Sequence, residues 1–363
     1  MSMTLPTLTI HSGQGDYHVD FLETLPPLLE ALVATANSLV LIDEQVAKIY
    51  AGPLAPLLQG RPCLAIPATE DEKTLTGVTR VLDFLQKNNA TKQTTLIVIG
   101  GGIIQDIAAF SAHVYYRGLR WIFVPTTLLA MCDSCIGAKS SINHNGFKNQ
   151  LGAFYSPNRV LVCLPFLNSL SPTEIISGYG EILKLLLTGS AEQFAFLREA
   201  VEKDGLLNPH LSRLIHESLR VKQRVIEIDE YEKDLRRILN FGHTFGHALE
   251  ALTHHAIPHG KAVAWGVDLV NFLAVERGLL DRAEYDSIHA FILKYFAHHL
   301  PHPVSARELI DFTRRDKKVA DGKVNLILLR QPGELKIVPT VYDDRLQQEI
   351  ETYLAHSQIL TWG

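Results

Sequence analysis

Five short runs in the first half of the chain read as strands, several of them apolar on both faces, and they narrow the folds open to it. Residues 38–43, 61–67, 95–100, 121–125 and 160–164 are rich in Val, Ile and Leu and lack the polar alternation of a strand with one wet face. Strands of that kind are covered on both sides. Helical periodicity fills the gaps at 44–58, 70–88 and 106–116, so the predicted order is strand, helix, strand around a parallel sheet. Such sheets bind ligands at the carboxyl ends of their strands.

From about residue 171 the pattern turns helical, with expected helices at 172–187, 192–203, 209–230, 261–278, 283–296 and from about 344. Asn208-Pro209 offers a cap and a first-turn proline. Runs at 324–329 and 335–338 flank Gln331-Pro332-Gly333 and read as a hairpin. The predicted fold class is α/β: an N-terminal Rossmann-like dinucleotide-binding domain over 1–168, then a mainly α-helical domain over 169–363, with no low-complexity linker between them.

One stretch of the second half stands apart. Between Arg236 and Glu250, the residues Arg236, Asn240, His243 and His247 are spaced four, three and four, which on a single helix forms one polar stripe. Leu239, Phe245, Ala248, Leu249 and Leu252 supply apolar flanks. Gly242 and Gly246 each cost a helix about 1 kcal/mol relative to Ala. Glycines four apart let another backbone or a ligand come close, so a cavity wall is expected here and not a solvated face.

Composition removes several classes of function. The chain has 363 residues and a net charge of −5 without a long basic run, which argues against nucleic-acid binding. No apolar run reaches the length of a membrane span, and the first fifteen residues lack the basic-then-apolar order of a secretory signal, so a cytoplasmic protein is expected. Four cysteines are too few for a disulfide framework at this length. Cys132 and Cys135 have CxxC spacing, but a lone pair in an apolar context reads as small buried side chains.

Chemistry-bearing residues cluster in two regions. Gly100-Gly101-Gly102 lies between a strand and a helix, where backbone amides can approach a pyrophosphate, although the GxGxxG spacing is missing. Asp43, Glu70 and Lys73 stand at strand ends or helix starts and can serve a ribose and phosphate, though Asp43 and Glu70 can also simply cap helices. Thr126, Thr127, Asp133, Lys139, Lys148 and Asn149 lie in a loop rich in Gly, Ser and Asn that suits a phosphorylated polyol. His243 and His247 do not form a HExxH protease motif, because Thr244 stands where the general-base Glu is needed.

Gly100 to Asp106, Tyr116-Arg117-Gly118, Val124 to Ala130, Asp133 to Lys139, Lys148 to Phe154, Gly180-Glu181-Ile182-Leu183-Lys184, Asn240 to His247, His259-Gly260 and Asp316-Lys317-Lys318 together resemble 3-dehydroquinate synthases over nearly the whole chain. Two imidazoles and one carboxylate leave a tetrahedral position open, as a catalytic divalent ion requires. Among sixteen histidines, spacing leaves His254, His255, His298 and His299 as candidates too. The resemblance selects Glu181, His243 and His259, with zinc or cobalt as the ion.

It further implies that Lys222 and Arg236 grip a substrate carboxylate, with Glu232 near the ion. It assigns Lys139, Asn240, His247 and Lys318 to a phosphate, with Arg117 entering from the second subunit of a homodimer. Asp133, Lys184 and Asn149 fall to hydroxyls. NAD falls to Asp43, Glu70, Lys73, Gly101, Gly102, Asp106, Thr126, Thr127, Lys148, Ser169 and Glu174. The implied reaction on a sugar phosphate is oxidation by NAD⁺, phosphate elimination, return of the hydride, ring opening and aldol closure.

The sequence departs from that pattern at Gln105, Ala138 and Phe147, where glycine is usual, at Cys163 for Asp and at Lys261 for Glu. Gln105 is expected to add bulk beside the dinucleotide, and Ala138 and Phe147 to reshape the loop over the sugar. Sister cyclases of sedoheptulose 7-phosphate or glucose 6-phosphate act on substrates without a carboxylate. The presence of both Lys222 and Arg236 therefore favours the dehydroquinate reaction. A metal-dependent polyol dehydrogenase, which would release NADH, and a binding protein without turnover are the other readings.

Overall fold

The structure, a computed structural model, describes residues 5–145, 147–254, 256–314 and 322–362. Its first half forms nine strands: β1 (Leu8–Ile10), β2 (Tyr17–Leu22), β3 (Ser38–Asp43), β4 (Cys63–Ile66), β5 (Thr95–Gly100), β6 (Arg120–Pro125), β7 (Lys139–His144), β8 (Phe147–Phe154) and β9 (Arg159–Cys163). Seven of them make one sheet in the order β1-β2-β9-β6-β5-β3-β4. Only β1 and β2 pair antiparallel; the other five pairings are parallel. Leu39 to Ile42 and Leu96 to Ile99 are buried, as covered strands require.

The expected helices around this sheet appear with local breaks. The 44–58 run splits at Tyr50 into Glu44–Ile49 and Ala51–Leu58, and the 70–88 run into a 3₁₀ turn, Glu70–Glu72, and a helix, Leu75–Lys87. Two strand pairs were not expected from the sequence. β1 and β2 bury alternate residues in very short runs. The Gly-, Ser- and Asn-rich stretch expected to be a loop is instead the antiparallel pair β7–β8, with Lys139 opposite Phe154. Most of β8 faces solvent, so hydrophobic periodicity could not reveal it.

The chain divides into two compact units, Met1–Ser171 with Lys222–Tyr231, and Pro172–Val221 with Glu232–Gly363. The 222–231 segment is fastened to the first unit by polar bonds. Gln223 Nε2 donates to the Thr9 carbonyl at 2.8 Å, and Glu227 Oε1 accepts from His11 N at 2.9 Å. Glu230 accepts from Gly13 N at 3.0 Å, and Tyr231 packs edge-on against Phe154 at 5.2 Å.

The second unit is mainly helical and is built round the helix His259–Glu276, whose residues from Ala262 to Ala274 are all buried. A helix apolar on every side has to be central. Against it lie Pro172–Gly189, His243–Leu252, Arg282–Phe296 and Asp344–His356. The predicted hairpin is present as Lys323–Gln331 paired antiparallel with Glu334–Val341. A further helix, Ala306–Arg314, was not expected from the sequence.

Candidate functional site

Three helix-borne donors meet in the second unit because glycines let the helices come unusually close. A Cβ at Gly180 would collide with the Gly260 carbonyl, and one at Gly260 with the Ser177 carbonyl. Gly242 has φ +77° and, lacking a side chain, admits the Val263 carbonyl and Val267. Each candidate donor adjoins one of these glycines: Glu181 follows Gly180, His243 follows Gly242, and His259 precedes Gly260. Ligand atoms of Glu181, His243 and His259 consequently lie within 4.8 Å of one another.

The single-helix stripe read from the sequence is not what forms. Leu235–Asn240 is a 3₁₀ helix and His243–Leu252 a separate α-helix, broken apart where Gly242 enters the left-handed region. Arg236 and Asn240 thus belong to one element, His243 and His247 to the next. The glycines admit another backbone, that of the His259–Glu276 helix.

Hydrogen bonds fix both imidazoles. His243 Nδ1 lies 3.2 Å from the Phe241 carbonyl, which can only accept, so the ring presents Nε2 to Glu181 Oε1 at 3.4 Å. His259 directs Nε2 to Glu181 Oε1 at 3.0 Å and Nδ1 to Glu250 Oε2 at 3.1 Å. Burial pushes the Glu181 carboxyl up, but the Lys184 ammonium and the two histidines outweigh it and hold the group well below the usual range. Burial and Lys184 press the His243 imidazole down towards its neutral, metal-binding form. Burial also disfavours His259⁺, yet hydrogen bonds to Glu181 and Glu250 hold that imidazole up to about 10.

Glu181 Oε2 is ion-paired with Lys184 yet accepts no hydrogen bond of good geometry. A buried carboxylate beside two oriented imidazoles is a donor set that suits zinc or cobalt. His254, His298 and His299 fall in neither described donor group, while His255 and Lys318 lie outside the described residues. Elsewhere in this unit Arg236 is 4% exposed, Asn240 donates to Glu232 Oε1 at 2.6 Å, and Glu232 has a left-handed backbone at φ +57°. His247 is exposed, its ring 5.1 Å from that of His243.

The first unit gathers most of the dinucleotide candidates. Gly100 ends β5 and Gly102 opens the helix Gly102–Val114, whose free amides can face a phosphate. A Cβ on Gly101 would press on Thr127 Cγ2, so any side chain there would have to displace Thr127. Lys73 pairs with Asp106 at 2.8 Å, and Asp106 also accepts from Ser141 N at 3.0 Å. Glu70 accepts from Asn143 Nδ2 at 2.8 Å and lies 3.9 Å from Lys148. Asn149 joins through Ser141 Oγ at 2.8 Å, so the β7–β8 hairpin links sugar and cofactor candidates.

Asp43 caps the next helix through Gln45 N at 2.8 Å, the alternative role foreseen for it. Thr126 N donates to the Gly100 carbonyl, Thr127 Oγ1 accepts from Ala130 N, and Ser169 Oγ accepts from Tyr50 OH. Glu174 stands in the second unit, in the first turn of Pro172–Gly189. Lys222 is 8% exposed, donates to the Asp133 carbonyl at 2.7 Å and ion-pairs with its carboxylate. Lys139 and Arg117 are both exposed, Arg117 with φ +63°.

Residues 63–177 match a family model described as 3-dehydroquinate synthase N-terminal, and residues 178–319 match 3-dehydroquinate synthase C-terminal. The chain belongs to the 3-dehydroquinate synthase family. A 3-dehydroquinate synthase of Alkaliphilus metalliredigens is 34% identical over 352 residues, 96% of this chain and 99% of its own. One from Legionella pneumophila subsp. pneumophila is 33% identical over 331 residues, 90% of this chain and 89% of its own.

Among solved structures, ValA, a 2-epi-5-epi-valiolone synthase from Streptomyces hygroscopicus with NAD⁺ and Zn²⁺ bound, is 28% identical. It has a TM-score of 0.81 and covers 97% of this chain and 98% of its own. A 2-deoxy-scyllo-inosose synthase complexed with carbaglucose-6-phosphate, NAD⁺ and Co²⁺ shares the fold, with a TM-score of 0.85 at 23% identity over 96% of this chain and 99% of its own.

Within this 3-dehydroquinate synthase family member, the unusual Gln105 does not simply add bulk beside the cofactor turn. Its side chain is buried, donating to the Ser134 carbonyl and accepting from Ser134 Oγ, both at 2.6 Å. It thereby clamps Gly102–Val114 to the π-helical turn Ala130–Ser134 that carries Asp133. Ala138 keeps a left-handed backbone at φ +63°, and Phe147 is 67% exposed. Cys132 and Cys135 are buried and in no disulfide, the latter's thiol pushed up to about 12 by burial. Sequence reasoning gave no role to Glu250; its spacing of seven from His243 and three from His247 was the available signal.

Proposed function

We propose that this chain converts 3-deoxy-D-arabino-heptulosonate 7-phosphate into 3-dehydroquinate and phosphate, acting in the cytoplasm as a homodimer. The reading is carried by one observation: a family match spanning residues 63–319 encloses the converging donors Glu181, His243 and His259. The functional division is an NAD-binding part over 1–168 and a metal- and substrate-binding part over 169–363. A divalent ion held by the three donors would ease loss of a proton from a substrate hydroxyl. NAD⁺ at the Gly100–Gly102 turn would take up a hydride and later return it.

The chain's own groups bind and orient. Lys222 and Arg236 take the substrate carboxylate, a group the sister cyclases' substrates lack. Lys139, Asn240, His247 and Lys318 take the phosphate, with Arg117 contributed by the second copy. Asp133, Lys184 and Asn149 hold the hydroxyls, and Glu232 steadies Asn240. Holding a flexible open chain in one conformation favours the closing carbon–carbon bond over escape.

The test is an assay of phosphate release with NAD⁺ in catalytic amount. Release from the heptulosonate phosphate without net NADH is the expected result. Release from sedoheptulose 7-phosphate or glucose 6-phosphate instead would make the chain a sister cyclase. Accumulating NADH would indicate a polyol dehydrogenase, and no turnover of any substrate a binding protein.

A further inference from the structure

Glu250 lies on the same helix face as His243 and His247, three residues past the second of them. Its position is locally unfavourable, because an acidic group in the last turn of a helix meets the negative end of the macrodipole. Its Oε2 lies 3.1 Å from His259 Nδ1, while the other ring nitrogen, Nε2, faces Glu181 at 3.0 Å. Both carboxylates can only accept; with an ion on Nε2 the ring's one remaining proton sits on Nδ1 and is donated to Glu250. His243 has a neutral counterpart in the Phe241 carbonyl at 3.2 Å. His259 Nδ1 thus meets a carboxylate where His243 Nδ1 meets a peptide carbonyl.

We propose that Glu250 is the positioning residue of the metal centre. It fixes the tautomer and rotation of His259 and strengthens Nε2 as a donor. The inference rests on the reading that Glu181, His243 and His259 hold an ion. Ligand atoms of His247, Glu250 and His259 also approach within 4.8 Å. An ion held with Glu181 on His259 Nε2 leaves Glu250, at Nδ1, as a hydrogen-bond acceptor. Outer partners of this kind commonly govern metal affinity by 10- to 100-fold.

The experiment compares the full-length protein with Glu250→Gln and Glu250→Ala. After chelation and dialysis, Zn²⁺ is titrated against a chromophoric competitor, and the visible absorption of the Co²⁺ form is recorded. One equivalent per wild-type chain is expected, with Glu250→Ala binding roughly 10- to 100-fold more weakly and its Co²⁺ bands shifted. Glu250→Gln keeps an acceptor and loses the charge, so its loss is smaller but measurable. Should the alanine variant fail to fold, the isosteric glutamine variant decides the matter: affinity and Co²⁺ bands equal to wild type overturn the proposal. Two equivalents on the wild type, with one lost in the variants, also overturn it by making Glu250 a ligand. A wild type that binds no ion refutes the metal reading itself, a result distinct from either.

Discussion

Backbone conformation separates histidines that spacing could not. His254 follows the helix His243–Leu252 with φ +50°, in the left-handed position where glycine is commonest, and its side chain is exposed. An L-residue there costs roughly 1–2 kcal/mol, and glycine gives back about 0.4–1 kcal/mol through the freer unfolded chain. No buried contact offsets the gain. His254→Gly is therefore expected to stabilise the protein by a few tenths to about 1 kcal/mol and to leave its zinc stoichiometry unchanged. Denaturant unfolding and metal analysis check both parts, and loss of zinc would return His254 to the donor set. Ala138 shares the left-handed backbone but is buried, so its lost methyl contact would consume much of the same gain.

At the scale of elements, apolar strands and buried helices were legible because burial on all sides leaves a compositional mark. Ser38–Asp43, Thr95–Gly100 and Arg282–Phe296 fall within a residue of their predicted bounds. The wet β7–β8 hairpin left no such mark, and one left-handed glycine cut the 236–250 stripe in two. Polar ties between helices were illegible as well, since their partners are distant in sequence. Fully buried Asp268 accepts from Tyr353 OH at 2.9 Å and lies 3.0 Å from His289 Nδ1, joining the central helix to two others.

That tie predicts a pH dependence. The hydrogen bond to Asp268 raises the His289 imidazole above its ordinary value, with Asp286 adding a weaker pull, and burial raises the Asp268 carboxyl. Both shifts make the folded state hold more protons than the unfolded one. The His289 contribution is thus complete below the ordinary histidine value near 6.5 and fades as pH rises through the raised value. Against His289→Gln, a neutral donor, the wild type should gain roughly 1 kcal/mol at pH 6, discounted because the ring is 21% exposed. Thermal melts from pH 6 to 9 should show the gap narrowing; a constant gap would mean that folding does not shift the His289 imidazole.

For the molecule as a whole, the sequence pointed to the family and, through the resemblance, to the three candidate donors that the structure brings together, but not to the return of Lys222–Tyr231 to the first unit. That return depends on hydrogen bonds between residues more than 210 positions apart, which no local pattern encodes. The division has a measurable consequence. All three donors belong to the second unit, on Pro172–Gly189, His243–Leu252 and His259–Glu276, whereas the parallel sheet belongs to the first. An ion at 100 times its dissociation constant stabilises the form that binds it by about 2.7 kcal/mol. The helices that lose their ion should therefore open more often, while sheet amides, held by their own ladder, should not. Hydrogen exchange with and without a chelator should rise by about tenfold or more in those three helices and stay unchanged in Thr95–Gly100 and Arg120–Pro125. An equal rise in the sheet would mean that the two units open as a single cooperative body.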